Sequence, residues 1–433
     1  MTPQSTFMIV APLADGREED LRSLLASMNH RPGVVNPYNG LVPFGDFDRL
    51  HFARFVVLEA PTAEDIIVYD IPPSRWPTSL VFLGDCDGSA DAFLAGLVER
   101  AGTGLRRIFA FCRDFSADED LLGWMRRHEQ PPAANYVNWI GRTVVQIREE
   151  QALRAALVNH LQNGGASTAG EPPAALRERL IGFVGSERQA GRLSLTPPEP
   201  TPVDWRVRNA LHAVGVPVAL LALAPFLLVA SPLLAYQLRS REKADPELAP
   251  HPGQHHVQRT ADLEDQDVSN QFTVFGDLKP GGFRLWTTIF LLWLLDYSAR
   301  HVYNRGYLTR VRTIHFARWV FLDDRKRLFF ASNYDGSLES YMDDFINKVA
   351  WGINLVFSNG IGYPRTDWLI KRGARNEQAY KRVLRRHQLP TDVWYKAYPG
   401  LTAVDLERNS RIRRGIEDPK MSDMEAREWL RLL

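Results

Sequence analysis

The sequence predicts an α+β fold in which two β-α-β-β-α-β units share one chain and an apolar, membrane-interacting helical insertion interrupts the second. Three observations predict it: a motif set that occurs twice, apolar β-branched and aromatic runs alternating with segments of helical period, and one long stretch without charge. The 433 residues are 45% hydrophobic and 24% charged, a composition that supports two or three domains with real cores and excludes disorder. Fifty-two Lys and Arg against 51 Asp and Glu leave a formal charge of +1, so nucleic acid is not an expected partner. The two cysteines, Cys86 and Cys112, are too few for a disulfide framework and fit a reducing compartment. No basic region precedes the short run Phe7 to Val10, so a secretory signal is not expected.

The repeat is read directly from the residues. Leu50-His-Phe-Ala-Arg-Phe-Val-Val-Leu58 returns as Ile314-His-Phe-Ala-Arg-Trp-Val-Phe-Leu322. Leu80 to Ser89 returns as Leu328 to Ser337, and both end in Asp-Gly-Ser. Arg126, Arg127, His128, Pro131, Tyr136, Gly141, Thr143, Val145 and Arg154 recur as Arg385, Arg386, His387, Pro390, Tyr395, Gly400, Thr402, Val404 and Arg413, all at one fixed offset. Each copy reads as strand, strand, helix, strand, with helices predicted over 90–101 and 338–350. A strand-helix pair precedes each copy: Phe7 to Ala11 with Glu18 to Met28, then Thr143 to Ile147 with Glu149 to Leu161. That order is the ferredoxin-like unit. The predicted domains are 1–142 for the first unit, 143–163 with 308–433 for the second, 164–204 for a linker with a short helix at Ala174 to Val184, and 205–307 for the insertion. Gly164 to Gly170 and Pro197 to Pro202 read as flexible and stiff spacers.

Within the insertion no Asp, Glu, Lys or Arg occurs between Arg208 and Arg239, a length that suffices to cross a bilayer. Pro217, Pro225 and Pro232 should kink or break that helix. A second apolar run, Leu285 to Leu295, is short of a span and rich in Trp, which suits an interface. Because 143–147 must meet the strands from 314 onward, both ends of the insertion are expected on one side of the bilayer. Basic residues at every apolar end favour monotopic attachment over a two-helix hairpin, with the bulk of the protein on the cytoplasmic side.

Two ferredoxin-like units in one chain, each with a His-Phe-Ala-Arg strand, resemble the dimeric α+β barrel superfamily, which includes chlorite dismutase-like proteins, dye-decolorising peroxidases and small monooxygenases. The resemblance covers roughly 5–162 and 308–416 and implies a pseudo-symmetric α+β barrel, with haem as a candidate cofactor and a homodimer as a candidate assembly. Gly84-Asp-Cys-Asp-Gly88 matches the GxxDG pattern of dye-decolorising peroxidases, so by the resemblance Asp87 would serve peroxide chemistry. The second copy, Ser332-Asn-Tyr-Asp-Gly336, lacks the first glycine, and Asp-Gly at a strand-helix junction is also ordinary turn chemistry.

The catalytic candidates are therefore His51, Asp87, His315 and Asp335, with Arg54 and Arg318 as anion or cofactor anchors. A two-residue strand period puts each Arg on the face opposite its His, and a structural role for both is the competing reading. His128 and His387 end helices, where they complement the dipole. His251, His255 and His256 are interrupted by Pro252 and Gly253, and no metal site is assigned to them. The acidic stretch Asp262 to Asp267 reads as a lid or a connector. Two functions remain open: a membrane-associated protein acting on or binding a hydrophobic small molecule, lipid or quinone, as a haem-dependent oxidoreductase of peroxidase or monooxygenase type; or a non-catalytic membrane-bound binding or scaffold protein.

Overall fold

In order, the first half of the chain forms β1 (Gln4–Pro12), α1 (Glu18–Ala26), the short β2 (Asn29–Arg31) and β3 (Val34–Val35), β4 (Leu50–Leu58), β5 (Ser79–Asp87), α2 (Ala90–Phe109), α3 (Leu121–Arg127), β6 (Ala134–Val137) and α4 (Val144–Gln162). Three helices follow, α5 (Pro173–Gln189), α6 (Val203–Ala244) and α7 (Gln254–Ala261). The second half runs β7 (Ser269–Asp277), α8 (Gly282–His301), β8 (Ile314–Leu322), β9 (Arg327–Asp335), α9 (Leu338–Phe357), β10 (Thr366–Asp367), β11 (Lys371–Arg372), α10 (Glu377–His387), β12 (Val393–Lys396), α11 (Ala403–Glu417) and α12 (Asp423–Leu430). This computed structural model describes residues 1–59, 68–69, 76–163, 171–247 and 250–433. Most of the predicted 60–77 connection and the Gly164 to Gly170 spacer lie outside those residues.

Two four-stranded antiparallel sheets carry the fold, in the orders β1-β5-β4-β12 and β6-β8-β9-β7. Each takes its short end strand from the other half: β12 pairs with β4, and β6 with β8. The sheets face each other across an apolar layer that includes Val56, Val81, Leu83, Val320, Phe329 and Ala331. Because side chains alternate along a strand, the other faces carry Ala53, Phe55 and Phe82 beneath α2, and Ala317, Trp319 and Phe330 beneath α9. The result is a mixed α+β body with β4, β5 and β9 buried at every position.

Three expectations need correction. Residues 143–147 are not a strand; Thr143 caps α4, its hydroxyl accepting from Gln146 N at 3.2 Å while Gln146 Oε1 accepts from Thr143 N at 3.1 Å. This capping box overrides the β-branched run that suggested a strand. The strand beside β9 is instead β7, in which Ser269 stands opposite Asp335 as Gln4 stands opposite Asp87 in the first sheet. Residues 269–301 thus belong to the second half and its cover, and the stretch that joins the halves is 163–268 rather than an insertion at 205–307. Finally, α6 runs unbroken through Pro217, Pro225 and Pro232. Two of the carbonyls that lose an amide donor find another: Ala213 O accepts from the Tyr297 hydroxyl at 3.3 Å and Leu228 O from Ser231 Oγ at 2.8 Å.

Candidate functional site

A cavity of about 210 Å³ lies between the second sheet and α8, α9 and α10. Its floor is Phe272 of β7, Ala317 and Trp319 of β8, and Phe330 of β9. Leu291, Leu294, Leu295 and Ser298 of α8 form one wall, and Tyr341, Phe345, Val349, Ile353 and Val356 of α9 the other. Among the described lining residues none is Asp, Glu, Lys, Arg, His or Cys; the polar atoms come from hydroxyls such as those of Ser298, Thr309, Tyr303 and Tyr341. Such a space suits an apolar molecule, with hydroxyls as its only oxygen-bearing side chains among the described lining residues.

The two halves differ here for local reasons. In the first half the chain between α1 and β4 feeds Leu41, Val42, Phe44 and Phe47 into the core, and Phe93 of α2 stacks on Phe7 at 5.6 Å. Helix α2 lies so close to this loop that a Cβ on Gly104 would meet Leu41 O at 1.9 Å. In the second half α9 is kinked at Val349, with φ −143° and ψ 25° and no proline to cause it. The kinked segment carries Trp351 and Gly352 at the cavity, with Trp351 half exposed.

The residues expected to carry chemistry lie elsewhere. His51 Nε2 is 2.9 Å from Asp87 Oδ1, and His51 Nδ1 is 3.1 Å from the Tyr398 hydroxyl. Asp87 Oδ2 accepts from Val144 N at 2.9 Å, so the carboxylate ties a strand end to the first turn of α4. The other half repeats this: His315 Nε2 to Asp335 Oδ1 is 2.6 Å, Ser269 Oγ donates to the same oxygen at 2.9 Å, and Ala403 N of α11 donates to Asp335 Oδ2 at 2.7 Å. Each aspartate therefore caps a helix, but a remote one; Ser89 and Ser337 cap the helices that follow directly. Gly88 and Gly336 adopt φ of +81° and +87°, the conformation that Asp-Gly turn chemistry requires. Gly84 answers to packing, since a Cβ there would lie 2.5 Å from the Phe7 ring; the equivalent Ser332 hydrogen-bonds Tyr341 at 2.6 Å.

Both histidines sit at a register shift in their strands, between Leu50 and Phe52 and between Ile314 and Phe316. The bulge turns each ring toward the inter-sheet side, so His and Arg do not occupy opposite faces as an unbroken period would require. Arg54 crosses between the sheets and donates to Phe272 O at 3.1 Å, Thr273 Oγ1 at 3.0 Å, Ser332 O at 2.9 Å and Asn333. Arg318 crosses the other way to Phe7 O at 2.7 Å, Gly84 O at 3.1 Å and Asp85. Burial, then the nearby Arg318, push Arg54 down to about 9, against the attraction of Asp85, whose carboxylate binds Arg318. These arginines join two sheets; neither lines the large cavity.

Haem fits neither the apolar cavity nor the void at the repeated histidines. The apolar cavity offers its iron no His, Cys or Met, and burial raises its Tyr341 and Tyr380 hydroxyls above their usual 10, away from the phenolate that would bind iron. The void lined by His51 and His315 measures about 20 Å³, room for one water, and both rings already bond to aspartates. The acidic stretch is a connector rather than a lid: Glu264 pairs with Arg385 at 2.7 Å, Asp265 accepts from Leu338 N at 3.2 Å, and Asp267 holds Lys396 at 2.5 Å. His128 bonds Trp124 O at 2.9 Å, as a helix-end residue would, and His256 lies 3.0 Å from Arg385 O. The cavity residues of α9 were missed in the sequence, although Val349-Ala-Trp-Gly-Ile-Asn-Leu-Val-Phe357 is more apolar than a one-sided stripe needs. Comparison with protein families, curated proteins and solved structures finds no match to this chain.

Proposed function

We propose that this chain is a membrane-associated α+β barrel protein, built from tandem ferredoxin-like units that exchange their closing strands, and that it binds a hydrophobic small molecule such as a lipid or quinone. The barrel reading, and with it the architecture-level likeness to dimeric α+β barrels, is supported by the matching strand orders and by Arg54 and Arg318 reaching reciprocally between the sheets. Membrane association is supported by α6, whose apolar window is only 6% buried. The observation that carries the binding function is the cavity without ionisable lining residues other than tyrosine, walled by α8, the helix on which α6 rests. A redox enzyme is the weaker reading, because His51, Asp87, His315 and Asp335 are bonded to one another and to helix ends.

Protein in mild detergent should bind diphenylhexatriene saturably, one molecule per chain. Ala317→Leu, which projects into the cavity, should weaken that binding by at least roughly tenfold, about 1.4 kcal/mol, while leaving the urea midpoint unchanged or higher. Binding that does not saturate, or that ignores the substitution, would contradict the proposal.

A further inference from the structure

Both ends of α6 are bonded to the same folded body. Near its N-terminus, Arg300 donates to Asn209 Oδ1 at 2.8 Å, His212 and His301 lie 2.8 Å apart, and Tyr297 donates to Ala213 O. Near its C-terminus, Arg284 donates to Arg241 O at 3.1 Å, and Asp245 binds both Arg284 at 2.5 Å and Lys279 at 2.8 Å. Glu242 there accepts from Trp368 N at 2.9 Å and Leu369 N at 2.8 Å. Helix α8, which supplies contacts at both ends, is itself fixed on the second sheet: Leu292 is fully buried and Asp296 accepts from Asn135 N at 3.1 Å.

The helix outruns the part of α8 that holds it. From Ala213 to Arg241 the helix rises about 42 Å, whereas their partners Tyr297 and Arg284 stand about 20 Å apart along α8, at roughly 1.5 Å per residue. The reach of the Tyr297 and Arg284 side chains spans that difference, and between the two anchors only Val216 of α6 is buried, so the middle of the helix stands uncovered by the body. That uncovered part carries Phe226, Leu228 and Val229, the last 85% exposed. Near the anchored ends Arg206 and Lys243 are exposed and form no ion pair among the described residues.

We propose that α6 docks lengthwise on one leaflet of an anionic lipid surface, as a monotopic helix, and does not cross the bilayer. A helix whose two ends are held by one body on one side cannot place those ends on opposite sides. The unpaired cations at its ends meet anionic headgroups, and its apolar middle enters the acyl boundary. This rests on the membrane association proposed above and is independent of the cavity, which the detergent experiment tests alone.

The full chain should float with vesicles of phosphatidylcholine containing phosphatidylserine, and bind them at least roughly tenfold more tightly than phosphatidylcholine alone, given about 1 kcal/mol for each basic residue near the surface. With protein bound outside, a membrane-impermeant maleimide should label Val203→Cys and Ala244→Cys alike, both exposed in the free chain, and Val229→Cys should be shielded only when vesicles are present. The native Cys86 and Cys112 are buried and should stay silent. Protection of one end until detergent is added would show a crossing helix and overturn the proposal. Absent flotation, equal binding to both vesicles, or shielding of Val229→Cys without lipid, which would indicate a second copy over the helix, would each overturn it as well.

Discussion

Asp335 accepts hydrogen bonds from His315, Ser269 and Ala403 N, and Asp87 from His51 and Val144 N. These buried carboxylates each join one β-strand end to a helix far along the chain. Asn at either position keeps the shape but turns one acceptor into a donor facing a donor, leaving a buried polar group unsatisfied. Asp335→Asn should therefore lower unfolding free energy by about 2 kcal/mol, as read by urea denaturation, without altering diphenylhexatriene binding. A loss of probe binding at unchanged stability would mean that the pair serves the ligand rather than the fold. At this scale the sequence was partly legible. The Asp-Gly turns follow from glycine's access to positive φ, but the direction of His51 depends on a bulge that only the partner strand's register creates.

Among the elements, α6 is fixed at its C-terminal end by a compact charge cluster: Asp245 between Lys279 and Arg284, with Glu242 close by. Burial pushes the Lys279 ammonium down to about 8 from 10.5, against the attraction of Asp245. Between those two values the unfolded chain binds a proton that the native chain has released, so stability rises with pH across that window, by at most about 1.4 kcal/mol per unit. Below pH 8 the group is charged in both states and adds no slope. Lys279→Met should remove the rise, which parallel urea titrations of both proteins at pH values inside and below the window would measure; equal slopes would contradict it. The bounds of β4 and β8 coincide with the motif read from the sequence, because a run buried on both faces is apolar along its length, here with one His and one Arg in each strand as the exceptions. Residues 143–147 misled because β-branched residues also open α4, where a capping box decides the matter.

For the whole molecule, the exchange of β6 and β12 means that neither half owns a complete sheet. The two crossing arginines add hydrogen bonds that exist only when both halves are present. Residues 1–163 expressed alone should therefore lack β12 on β4 and should not show a cooperative transition, whereas the full chain should unfold in a single step by circular dichroism and tryptophan fluorescence together. Two separated transitions in the full chain would mean that the halves are independent bodies.

What the sequence determined by itself was local or repeated: the α+β class, the positions of the repeated strands, the turn residues and the apolar helix, each written in periodicity or composition over a few neighbouring residues. What the tertiary structure decided was long-range. It gave the place beside β9 to β7 rather than to 143–147, exchanged the closing strands, turned Arg54 and Arg318 into ties between sheets, and opened the apolar cavity between the second sheet and α9. Those outcomes depend on which distant surfaces meet, and a strand's own residues specify its faces but not the partner that covers them.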